Sequence, residues 1–187
     1  MTLTETPLTN GAAAAAEAAN QPSGITVDAD ATLPQLPDDV VEIRLPSPDR
    51  LRAQFRARIV DANGVNPNEI ISVSDGFYVK FELYLTGDLW RVMCGHWCFD
   101  MSFESAGPGP EALLSDLLGL KEIKVYFVGC KHRRICVNVW VPPGTVPTSY
   151  CSRIYEAKAT FQLHDSCEKP VAVLGHQDVG DYQFYLP

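Results

Sequence analysis

Apolar and polar residues alternate along most of this chain, with a period of two. In LRAQFRARIV (51–60), Leu51, Ala53, Phe55, Ala57 and Ile59 share one phase, while Arg52, Gln54, Arg56 and Arg58 share the other. Successive strand residues point to opposite faces, so the pattern predicts a half-buried β-strand. GFYVKFELYL (76–85) repeats it, with Phe77, Val79, Phe81, Leu83 and Leu85 opposite Tyr78, Lys80, Glu82 and Tyr84. IYEAKATFQLHD (154–165) does so again, with Ala157, Ala159, Phe161 and Leu163 inward. A long run at 90–105 and shorter runs at 40–45, 121–129, 135–141, 171–176 and 181–186 bring the total to seven to nine strands. Only PEALLSDLLGL (110–120) reads as helix, with Leu113, Leu114, Leu117 and Leu118 clustered on one side.

The predicted fold class is all-β: an antiparallel β-sandwich, immunoglobulin-like, with one short helix near 110–120. Strand spacing is too short for βαβ units. TGDL (86–89) reads as a hairpin turn joining 76–85 to 90–105. CKHRR (130–134) joins the next two strands. SCEKP (166–170) closes the last hairpin, with Asp165 bonding the turn backbone.

Composition changes this picture at the N-terminus. Residues 1–40 hold no aromatic residue and are rich in Ala, Thr, Pro and Asp, a composition that buries too little apolar area to offset ordering. They are expected to form a disordered acidic, Ala-rich tail before a β-sandwich domain spanning 41–187. Charge divides the same way. Residues 1–43 carry seven acids and no Lys or Arg, so −7 of the net −8 lies there. The near-neutral body lacks a nucleic-acid footprint. No signal peptide and no apolar run of about 18 residues is visible, so no membrane span is expected. The chain is expected in the cytoplasm, with its six cysteines reduced.

The densest reactive chemistry is MCGHWCF (93–99). Cys94 and His96, with Cys130 and His132, form a Cys₂His₂ set of the kind that binds Zn²⁺. Cys94 and Cys98 lie about 13 Å apart in an extended strand, so at most one of them joins His96 on an ion. Neither Cys-x₃-Cys nor Cys-x₅-Cys has the turn spacing of structural zinc sites. The 86–89 hairpin opposes Cys94 with Phe81 and His96 with Val79. A β-bulge at Gly95 then reconciles that phase with the inward Trp97, Phe99 and Met101. It turns Trp90, Val92 and Cys94 inward and Cys98 and Asp100 outward, which makes Cys94 a small apolar core residue. Cys130 and Cys136 face each other in the next hairpin and are expected as free thiols. Lys131, His132, Arg133 and Arg134 form a basic loop suited to a phosphate, an acidic partner or the acidic tail.

No Gly-x-Ser-x-Gly elbow, phosphate-binding Gly loop or His-Glu-x-x-His helix is present, so no catalytic residue is assigned. LHDSC (163–167) puts His164 beside Asp165 and Ser166, but adjacency in a turn is not triad geometry. The reading is a non-catalytic binding or assembly module acting through a sheet face, edge strand or end loops. Its expected partner is another protein or a second copy, with no nucleic acid and no membrane. Zinc or thiol chemistry at 94–98 and 130–136 is the alternative. A carbohydrate-binding module using Trp90, Trp97 and Trp140 is another.

Overall fold

A computed structural model describes residues 25–30, 41–44, 50–65, 69–128, 133–148 and 153–187. Strands β1 (Ile25–Asp30), β2 (Val41–Arg44), β3 (Leu51–Asp61), β5 (Phe77–Gly87) and β9 (Arg134–Val141) form one sheet, in the order β1-β9-β5-β3-β2. The second sheet holds β4 (Ile70–Ser72), β6 (Cys94–Ser105), β7 (Ala112–Leu113), β8 (Ile123–Val128), β10 (Arg153–His164) and β11 (Pro170–Tyr185). Its order is β4-β11-β10-β6-β7, with β8 also on β6. Every pairing is antiparallel except β4 with β11. A single turn, α1 (Leu114–Leu117), is the α-helix among the described residues.

The alternating phases meet as predicted. The apolar faces of β3, β5 and β9 pack on those of β6, β10 and β11 in one core. Phe55 bridges the sheets, 6.4 Å from Phe81, 6.3 Å from Phe99 and 4.5 Å from Phe161 between ring centroids. Two packed inner faces and wet outer faces make the antiparallel sandwich that the period-two pattern predicts.

Four details differ from the sequence reading. First, β5 and β6 are not a hairpin. A 3₁₀ turn at Leu89–Val92 carries the chain from one sheet to the other, and β6 pairs with β8 and β10. Trp90 is buried by that turn, but Val92 is 76% exposed and Cys94 is exposed rather than a core residue. Second, there is no bulge at Gly95 in the pairing with β8, which runs in unbroken register from Cys94 to Phe99. Gly95 is required for another reason. Its φ is +141°, and a Cβ there would collide with the His164 carbonyl oxygen on β10. Third, β8 and β9 lie in different sheets, so Cys130 and Cys136 do not flank a hairpin. Cys130 lies outside the described residues.

Fourth, eleven strands appear among the described residues rather than seven to nine. The runs at 171–176 and 181–186 merge into β11, and β1, β4 and β7 are edge pieces too short to show a period. β7 takes Leu113 out of the helix, leaving one turn of the two expected. β1 comes from the segment read as tail, and the rest of 1–40 lies outside the described residues.

Candidate functional site: the outer face of the second sheet

β6 sends Trp97 into the core, fully buried, so its neighbours His96 and Cys98 project from the opposite face. Register places chemistry on both sides of them. His96 is opposed by Tyr126 on β8 and by His164 on β10, and Cys98 by Lys124 and Gln162. Glu122 enters from the residue just before β8. One donor atom from each of His96, Cys98, Glu122 and His164 lies within 4.8 Å of all the others.

The polar contacts are specific. Cys98 donates its thiol hydrogen to Glu122 Oε2 at 2.9 Å. Lys124 Nζ holds the other carboxylate oxygen, Oε1, at 2.9 Å and reaches Glu168 Oε1 at 3.3 Å. The rings of His96 and His164 meet edge-on with centroids 5.0 Å apart. His96 is only 2% exposed, and its Nε2 has no hydrogen-bond partner among the described residues. Such an orphan costs roughly 1–3 kcal/mol in an ordinary interior, so it calls for an explanation.

These contacts set the protonation states. Burial, followed by the hydrogen bond to Glu122 and that carboxylate's charge, pushes the Cys98 thiol up to about 12. Burial opposes ionisation of Glu122, but the Cys98 and Lys124 hydrogen bonds outweigh it and hold the carboxyl below its ordinary range. Burial, then the charges of Lys124 and His164, lower His96 from the ordinary histidine value. At neutral pH the cluster is therefore a protonated thiol, a carboxylate and a neutral His96.

Beside the cluster lies an open depression of about 490 Å³, lined by Cys98, Asp100, Glu122, Thr160, Gln162 and His176 among others. Asp100 is already engaged. Its carboxylate accepts from Ser115 Oγ at 2.5 Å and Ser115 N at 3.1 Å, which docks α1 on β6.

The predicted site residues divide accordingly. His96 is in the cluster. Cys94 is exposed and outside it, and Cys130, Lys131 and His132 lie outside the described residues. Of the basic loop's residues, Arg133 and Arg134 are described, and both are engaged by the first sheet. Arg133 Nε donates to the Leu85 carbonyl at 3.2 Å with its guanidinium 4.9 Å from the Tyr84 ring centroid. Arg134 pairs with Glu82 at 2.8 Å, sharing it with Arg58. Nor do the tryptophans make a platform: Trp90 and Trp97 are core residues, while Trp140 packs on Tyr78 at 4.7 Å. Sequence reasoning missed Glu122 and His164 as partners of His96. The available signal was phase: His164 lies on the outward phase of 154–165, as His96 and Cys98 do on the observed phase of β6.

No family model and no curated protein matches the chain. A solved structure, AggA, the major subunit of aggregative adherence fimbriae type I from Escherichia coli, is similar over 72% of this chain and 95% of its own. Identity is 10% and the TM-score is 0.34, a level that carries no argument about this chain.

Proposed function

We infer that the chain is a non-catalytic β-sandwich binding module whose working surface is the outer face of the second sheet. One observation carries this reading: Cys98 at the edge of the depression keeps its proton and donates it in a 2.9 Å hydrogen bond to the Glu122 carboxylate. A nucleophilic cysteine needs a lowered pKa and a base that takes its proton. Cys98 has the reverse, and the alternative of thiol catalysis is correspondingly disfavoured. An open depression whose floor includes Phe99, Phe161 and Leu174, with Cys98, Glu122 and Gln162 beside them, suits the capture of a ligand that is partly apolar and partly polar. Thiols outside any disulfide at Cys94, Cys98 and Cys167 suit a reducing compartment, and we place the protein in the cytoplasm on that ground.

Alkylation tests the reading. Metal-free protein is treated with iodoacetamide near neutral pH and the labelled cysteines are mapped by mass. Cys94 and Cys167 react first and Cys98 last. Preferential alkylation of Cys98 would mark it as an activated nucleophile and overturn the proposal.

A second reading, contact with a second copy of the chain, is favoured by Ile70 and Ile154, which are 56% and 50% exposed on either side of Gln183 in register. Sedimentation tests it. Association that disappears in Ile154→Lys supports the contact, and a monomer at high concentration ends it.

A further inference from the structure

We propose that the outer face of the second sheet holds one zinc ion, bound by His96, Cys98, Glu122 and His164. The proposal rests on reading that face as a binding surface, and it names the ligand.

The donor set is one thiolate, two imidazoles and one carboxylate, which are the groups that bind this borderline-soft ion in tetrahedral sites. Geometry agrees. Zinc bonds of about 2.0–2.3 Å place tetrahedral donors roughly 3.3–3.8 Å apart. The four donor atoms already lie within 4.8 Å of one another, so closure asks for movements of about 1 Å, within the reach of side-chain torsions.

A second observation points to a ligand independently. His96 Nε2 is a buried ring nitrogen without a partner, in a ring wedged between His164 and Tyr126. An ion bound through Nε2 would satisfy it. Glu122 is oriented in the same sense, since Lys124 occupies Oε1 and leaves Oε2 on the Cys98 side. Such second-sphere bonds ordinarily fix the ligands of metal sites.

The chemistry balances without an oxidant or reductant. Zinc displaces the proton of Cys98, which leaves to solvent, and the S–H···O contact becomes an S–Zn–O bridge. One thiolate and one carboxylate neutralise the two positive charges, while Lys124 keeps Glu168 as counter-ion. Four protein donors close the coordination sphere, so the ion clamps β6, β10 and the entry to β8 rather than activating water.

Cobalt(II) is the probe, added to the metal-free full chain. One equivalent binds, with a near-ultraviolet thiolate-to-cobalt charge-transfer band and intense visible bands of tetrahedral cobalt. Cys94→Ser leaves the spectrum unchanged. Cys98→Ser abolishes the charge-transfer band, and His164→Gln weakens binding at least about tenfold, each with the circular dichroism of a folded protein. A band that survives in Cys98→Ser and vanishes in Cys94→Ser would overturn the proposal in favour of a Cys94, His96, Cys130 and His132 set. Absence of binding at micromolar cobalt would overturn it outright. Neither result touches the alkylation pattern of the metal-free protein, so failure of this inference and failure of the binding-module reading are separable.

Discussion

His96 and His164 face each other across β6 and β10, 68 positions apart in sequence, with ring centroids 5.0 Å apart. Neither residue explains the other's position. His96 is placed by the alternation that sends Trp97 into the core, and His164 by the register of β10. The pair is the joint product of two strands that each needed an apolar inner face.

Burial of His96, then the charges of Lys124 and His164, makes acid destabilising. The groups around His96 are His164, Lys124, Glu122, Cys98, Tyr126 and Glu168, and its folded pKa lies below its ordinary value of 6.5. The unfolded chain therefore binds the proton more readily. The stabilising contribution is complete above 6.5 and is lost as pH falls from there through the lowered folded value. Melting of metal-free protein between neutral and mildly acidic pH should show this slope, and His96→Gln should flatten it.

Gly95 couples the fold to the site. A methyl group there meets the His164 carbonyl, and φ is already in the left-handed range. Gly95→Ala should cost roughly 1–3 kcal/mol from backbone strain alone. It should also displace His164, so that denaturant midpoint and cobalt affinity fall together.

Phe55 packs beside Phe81 in its own sheet and against Phe99 and Phe161 of the other. Phe55→Ala removes that bridge and should cost roughly 3–5 kcal/mol. Calorimetry should register a fall in melting temperature of roughly 10 °C.

Asp100 should act as the anchor of α1 rather than as a ligand group. Asp100→Ala leaves Ser115, a buried residue, without its carboxylate. Hydrogen bonds to a charged group are worth about 1.5–3 kcal/mol. Amide exchange at Ser115–Leu118 should accelerate, and Ser115→Ala should add little to the Asp100→Ala effect because the two share one contact.

How far the sequence led follows from the range of each signal. Alternation is local, so the inward phases of 51–60, 76–85 and 154–165 were readable, and so was the hairpin over Asp165, whose Oδ1 accepts from Cys167 N and Lys169 N. The step from β5 to β6 was not. TGDL has hairpin chemistry, but Leu89 and Trp90 turn the chain toward the other sheet, where Trp90 finds burial. That one misreading moved Cys94 into the core and invented a bulge at Gly95. His96 and Cys98 were singled out by residue type alone. Their true partners, Glu122 and His164, come from strands whose pairing with β6 is non-local, and no spacing rule reaches that far.

The most direct measurement is zinc K-edge X-ray absorption of the protein loaded with one equivalent of zinc. The proposed site predicts one sulfur near 2.3 Å and three nitrogen or oxygen donors at about 2.0–2.1 Å, from Cys98, His96, His164 and Glu122. Two sulfurs in the first shell, or none, would contradict it.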